Sequence, residues 1–152
     1  MAIKRADFPL PDVEDPLTAE FFAGAARGAL VIPRCDSCGQ WVWYPEPTCP
    51  ACTAAGEDDG TLTWQPTSGR GRLFSWAVVQ RPFLPAFAEM IPFVTALVAL
   101  EEAPEVRIVT YVVDADPDHL EDATPLEVTF RPLAFPTVPD RHVVVPMFTP
   151  SL

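Results

Sequence analysis

Two cysteine pairs govern what this chain can fold into. Cys35-Asp-Ser-Cys38-Gly39 and Cys49-Pro-Ala-Cys52 are C-x2-C motifs separated by ten residues. Each two-residue spacer turns both thiols of its pair toward one point. A hairpin between the pairs then brings four thiolates into the tetrahedral S4 set that Zn2+ prefers. Four protein ligands fill the coordination sphere, so the expected zinc is structural, with no position left for water or substrate. A rubredoxin-like iron site uses similar knuckles, usually with a longer gap, and disulfides or inert thiols would also accommodate four cysteines. The opening residues include Lys4 and Arg5 but no apolar stretch, and acids start at Asp7, which is unlike a secretory leader. A cytoplasmic location with reduced thiols is the expectation, and it favours a metal over disulfides.

The 152 residues suffice for one domain or two small ones, and 49% hydrophobic against 20% charged is a globular composition. Ten Lys+Arg face 21 Asp+Glu, a formal charge of −11 spread along the chain. Affinity for nucleic acid comes largely from Lys and Arg releasing counterions, so this sign of charge opposes nucleic-acid partners. The longest apolar run, residues 93–100, falls far short of the ~20 residues that cross a bilayer. No membrane span is expected. Nineteen prolines make long helices scarce.

Residues 1–29 read as an extension and a short helix. Asp15 can accept the first free amide hydrogens and Pro16 suits the first helical position, so a helix over about 16–27 closed by Gly28 is expected. Leu17, Phe21 and Ala25, with Phe22 beside them, form an apolar stripe at helical spacing. The stripe packs on the protein's own sheet or presents Phe21 and Phe22 to another protein. Residues 30–60 are turn-rich around the cysteines, with Trp41, Trp43 and Tyr44 expected to shield the metal and bridge ribbon to sheet. From 61 to 152 the pattern is β: 62–64, then 72–80, 93–100, 106–113, 126–131 and 142–148. Leu126, Val128 and Phe130 alternate with Glu127, Thr129 and Arg131. Five short strands after about residue 70 suit a small barrel.

Other constellations fail. Asp114, Asp116 and Asp118 open like a calcium loop, yet the sixth and twelfth places hold His119 and Pro125 rather than Gly and Glu. A solvated acidic turn is expected. Neither His119 nor His142 has a nucleophile motif beside it. Ser68-Gly-Arg70-Gly-Arg72 lacks the phosphate-loop pattern, and it is either a flexible strand entry or an arginine pair for a cofactor phosphate.

The order of parts resembles one family. Phe21-Phe22 on a short helix, Gly28-Ala-Leu30 leading to the first knuckle, Tyr44-Pro45, the second knuckle, Gly69-Arg-Gly71-Arg-Leu-Phe-Ser75, Pro92-Phe93 and Pro146-Met-Phe148 are similar to zinc-ribbon plus OB-fold proteins. These are the proteins grouped as domain of unknown function thirty-five, and the resemblance runs from about residue 15 to 150. It implies a mainly β chain: a short N-terminal helix, a rubredoxin-like zinc ribbon and a five-stranded OB-fold barrel. It also implies an accessory subunit of acyl-CoA metabolism, beside a thiolase-like enzyme, an acyltransferase or a MaoC-type enoyl-CoA hydratase. In that setting the barrel helps form the acyl-CoA site. Related domains support a thiolase-like retro-aldolase of steroid side-chain degradation. The chain lacks the family's usual glycines after the second barrel strand, where it has Glu101-Glu102-Ala103-Pro104-Glu105, and before the fourth, where it has Ala123-Thr124-Pro125.

Three functions follow. The first is a non-catalytic partner of a thiolase-like CoA enzyme, with Arg70, Arg72 and Arg81 as the candidates for CoA phosphates. Phe21, Phe22, Phe83 and Phe87 are then the candidate partner contacts, since the loop 82–92 carries five large apolar residues on an acidic protein. The second is an OB-fold that stacks single-stranded nucleic acid on Phe74 or Trp76, which the charge opposes. The third is a stand-alone enzyme using Tyr111 or His142 as proton donor, for which no complementary group can be assigned.

Overall fold

The computed structural model describes residues 5–57 and 60–151. Asp15 accepts the Leu17 amide on its side chain at 2.9 Å and the Ala19 amide on its carbonyl at 2.8 Å. That turn occupies the predicted first helical positions, because Thr18 has non-helical dihedrals, so helix α1 runs Ala19–Ala26. Gly28 then takes φ +79°, and the amides of Gly28 and Ala29 close on the carbonyls of Ala25 and Gly24 at 3.1 and 2.9 Å. Gly24 and Ala25 are buried, and α1 packs on the strands named below as β1 and β7. A Cβ on Gly24 would lie 2.7 Å from Val31 Cγ2, so the close approach needs glycine.

Strand β1 (Val31–Cys35) leads into the first knuckle, helix α2 (Pro50–Ala54) into and through the second, and β2 (Leu62–Pro66) returns antiparallel to β1 with Cys35 opposite Leu62. The β pattern from residue 61 onward groups 62–64 with the barrel. In the structure β2 pairs with β1, completing the ribbon.

Five strands then close a barrel: β3 (Arg70–Val79), β4 (Phe93–Leu100), β5 (Arg107–Val112), β6 (Pro125–Phe135) and β7 (Val138–Pro150), in the order β3-β4-β5-β7-β6. The parallel contact of β5 with β7 sets Val112 beside Phe148, and β3 meets β6 over Arg70–Arg72. This is the OB-fold arrangement. Alternation places Val94, Ala96, Val98 and Leu100 of β4 inside with Leu73, Ile108, Leu126 and Phe148. Leu30 and Ile32 of the ribbon segment enter the same core.

The last two strands are longer than the sequence pattern suggests. Their ladder runs from Leu126 opposite Pro150 to Phe135 opposite Val138, through Pro132, which reads as a strand breaker. Beyond Val128, whose amide still donates to the Gly69 carbonyl at 2.7 Å, the strand β6 pairs only with β7 among the described residues, and a free edge tolerates a residue without an N–H. The projecting hairpin builds a second core of Leu10, Ala86, Phe135 and Val143, with Phe22 and Phe87 packed against it. Arg5 donates to the Leu10 carbonyl, and Arg141 reaches Asp7 at 3.2 Å. Both turns that lack the expected glycine are made without one. Ala123 takes the left-handed φ of +62° itself, and the β4–β5 connection is closed by Ala103 N–H to Leu100 O at 3.3 Å and Val106 N–H to Ala103 O at 2.8 Å. Among the described residues no helix is long and apolar enough to cross a membrane.

Candidate functional site

The four cysteines converge. Their sulfurs lie within 4.8 Å of one another, with Cys35 to Cys52 and Cys38 to Cys49 each 3.7 Å. A zinc with bonds of about 2.3 Å needs tetrahedral edges of about 3.8 Å, so the donor set fits the ion in number, chemistry and size. The first knuckle is shaped by Gly39, whose φ of +75° lets its amide reach the Cys35 carbonyl at 3.0 Å. Gly60 presses on the cluster from the other side, where a Cβ would lie 2.5 Å from Cys35 Sγ and 3.1 Å from Cys52 Sγ. Cys35, Cys49 and Cys52 are buried, and Val42, Ala51 and Leu62 pack over them.

Backbone amides and burial pull the metal-free thiols apart. The Cys38 amide, donating toward Cys35 Sγ at 3.5 Å, favours the thiolate and lowers the Cys35 pKa to about 6. Burial pushes Cys52 up to about 12, and Cys38 is also raised. At neutral pH Cys35 is already a thiolate, whereas Cys38 and Cys52 hold protons that a metal must displace. Loading zinc at pH 7.5 is therefore expected to release about two protons or more per ion, and affinity must rise with pH. Titration calorimetry in buffers of differing ionisation enthalpy reads that number directly. Release of less than one proton would contradict the assignment.

Trp41 and Trp43 do bridge ribbon to barrel, packing against the barrel core. Trp43 sits 5.0 Å from the Phe21 ring and 5.3 Å from Tyr44, which is itself exposed. Shielding of the metal falls instead to the smaller Val42 and Leu62.

The three candidate phosphate arginines do not share a site. Arg70 is bound to Glu101 at 2.6 Å, and Arg72 donates to the Ala123 carbonyl at 3.2 Å. Both line a cleft of about 290 Å³ that also holds Glu101. Arg81 lies past the far end of β3, and ten strand residues at 3.3 Å each separate the two ends by roughly 30 Å. The four phenylalanines divide as well. Phe87 packs on Phe135 at 5.3 Å, and Phe21 contacts Phe22 edge-on at the same spacing, whereas Phe83 stands 86% exposed on its loop.

Phe21, Phe22 and Phe87 meet residues that the sequence does not group with them. With Phe93, Val109 and Tyr111 they line an apolar groove of about 500 Å³ between α1, the N-terminal segment, the barrel wall and the projecting hairpin. Among the described residues no charged one lines it. Phe93 and Tyr111 stack edge to face at 5.4 Å, and burial raises the Tyr111 pKa. The strands 93–100 and 106–113 are each legible in the sequence, but their juxtaposition with Phe21 and Leu133 depends on barrel closure. The acidic turn is spent locally: Asp114 binds Arg131, and Asp116 accepts the Asp118 amide at 3.0 Å.

Comparison with known proteins agrees with this arrangement. Residues 22–58 match the family described as ChsH2, rubredoxin-like zinc ribbon domain, and residues 64–131 match ChsH2, C-terminal OB-fold domain. A DUF35 domain-containing scaffold protein of Methanothermobacter thermautotrophicus is 34% identical over 105 residues, which is 69% of this chain and 74% of that protein. Among solved structures, a chain of the Ltp2-ChsH2(DUF35) aldolase superposes with a TM-score of 0.74 at 30% identity, covering 93% of this chain and all of that one. A DUF35 protein of unknown function from Sulfolobus solfataricus shares the fold, with a TM-score of 0.53 at 13% identity over 75% and 78% of the two chains.

Proposed function

The chain belongs to the DUF35 family of zinc-ribbon and OB-fold proteins, and from that premise we propose that it serves as the accessory, non-catalytic subunit of a thiolase-like CoA enzyme. The observation that carries the reading is the superposition of ribbon and barrel together, over 93% of the chain, on a subunit of an aldolase assembled from two named components. The methanogen relative is itself described as a scaffold protein.

The finer reading concerns the ligand. The groove at Phe21, Phe93, Val109 and Tyr111 offers an uncharged wall to the acyl part of an acyl-CoA, excluding water from it. Arg70 is already neutralised by Glu101 and Arg81 is about a strand's length away, which leaves Arg72 as the one candidate contact of this chain and gives the remaining CoA phosphate contacts to the partner subunit. The ribbon's part is mechanical: its closed metal site holds β1 and β2 together, and Leu30, just before β1, and Ile32, on β1, enter the barrel core. A retro-aldolase acting on a steroid side-chain acyl-CoA and an acyltransferase are the two reactions that best suit such a pairing.

Co-expression with thiolase-like and MaoC-type candidate subunits tests the reading. Co-purification with the thiolase-like subunit is expected, together with at least a tenfold loss of acyl-CoA turnover when this chain is omitted. A monomeric chain beside a fully active, independent partner overturns it, and assembly with the hydratase alone replaces the thiolase-like partner.

A further inference from the structure

The outer wall of the barrel over β3, β4 and β5 breaks the usual rule for a one-sided antiparallel sheet, which turns polar side chains to water. Outward positions from Phe74 onward on β3, and all those of β4 and β5, hold no carboxylate, on a chain with 21 Asp+Glu. Ala77, Thr95, Leu97 and Val109 form its centre, with Val109 paired to Leu97 and 56% exposed. A bulge between Leu73 and Ser75 turns Phe74 outward as well, 45% exposed. Arg107 is the one charge of the patch. Its guanidinium lies 3.7 Å from the centroid of the Phe74 ring, and no carboxylate pairs with it among the described residues. Stacking holds that planar group ready while leaving its N–H donors in the plane for an incoming acceptor.

Resting on the accessory-subunit reading, we infer that this wall is where the thiolase-like subunit docks, through an apolar surface that sets a carboxylate against Arg107. Charge chooses this occupant over a second copy of the chain. Two copies face to face would offer no acid in either patch to answer the other's Arg107, and would oppose two molecules of net charge −11. A neutral wall on an acidic body also admits a partner of opposite character without burying an unpaired carboxylate. Thr95 and Val109 belong to both the wall and the apolar groove. Docking therefore roofs the groove at the same stroke, so that complex formation and enclosure of an acyl chain are one event.

The experiment uses the full chain and its thiolase-like partner. Val109→Glu and Arg107→Glu change only outward side chains and are expected to lower recovery of the complex at least tenfold, with zinc content and circular dichroism unchanged. Arg107→Lys, which keeps the charge but not the planar fork, should fall between, and Glu127→Lys on β6 should leave the complex intact. Oxidative footprinting of the wild-type complex needs no variant and should protect Phe74 and Leu97. If the wild-type complex forms but neither acidic variant nor the footprint responds, the docking wall lies elsewhere while the accessory role stands. If no wild-type complex forms, the accessory role fails and the docking wall falls with it. A chain that dimerises alone and is made monomeric by Val109→Glu identifies a second copy as the occupant and overturns the inference.

Discussion

Stripping the metal with a chelator at neutral pH is expected to unfold residues 31–66 and to destabilise the barrel with them. Binding of zinc to small structural modules is worth of order 10–16 kcal/mol in apparent terms, as much as the ~5–15 kcal/mol that holds an ordinary domain together. The ribbon has little else: its core is three buried cysteines and Val42, covered by Ala51 and Leu62. The damage spreads because Leu30 and Ile32 sit in the barrel core and Thr67 ties its amide and hydroxyl to the Leu30 carbonyl at 2.9 and 3.1 Å. Cys49→Ser should reduce zinc from a full equivalent to a trace and erase the near-ultraviolet signal of Trp41 and Trp43. Gly60→Ala should weaken the site without touching a ligand, because the new methyl meets Cys35 Sγ at 2.5 Å. A metal-free protein with an unchanged melting temperature would refute the structural role.

Phe148→Ala should be the most damaging single change in the barrel. Phe148 is fully buried, pairs with Val128 on one side and Val112 on the other, and accepts the Val113 amide at 2.8 Å where β5 and β7 run parallel. Truncating a buried phenylalanine costs about 3–5 kcal/mol, and at about 2–4 °C per kcal/mol for a chain of this size the melting temperature should drop by roughly 6–20 °C. Phe83→Ala supplies the contrast. That ring is 86% exposed and should change stability by no more than about 0.5 kcal/mol. Equal effects of the two substitutions would mean that the barrel does not close as described.

What can be read from the sequence follows from where the signal is local. Four cysteines at fixed spacing name their own chemistry, and Leu126 to Arg131 alternate within one strand, so the ribbon and much of the barrel are legible. The extension of the last hairpin is not, because Pro132, Pro136 and Pro139 look like breaks, yet Pro132 sits on the free edge of β6, Pro136 in the turn, and Pro139 beside the register shift at the start of β7. The docking wall is hidden for a different reason. Residues 93–100 are apolar at nearly every position, a pattern that ordinarily marks a strand buried on both faces. Only the closed barrel shows that Val94, Ala96 and Val98 point in while Thr95 and Leu97 point out. Arg70 illustrates the same limit: its two-residue spacing from Arg72 suggests a phosphate grip, but Glu101, thirty-one positions away, already holds it.

The second core sets an order of events during synthesis. All four metal ligands lie within eighteen positions, so the ribbon can be completed on the ribosome soon after β2 emerges. Leu10, near the beginning, has its buried partners Phe135 and Val143 near the end. At about 5–20 residues per second the early segment waits several seconds for them, with Leu10 and the groove-facing side of α1 uncovered throughout. Because β7 supplies both Val143 to that core and Phe148 to the barrel, the metal clasp can form first, whereas barrel closure and the seam over Leu10 both wait for the same last strand.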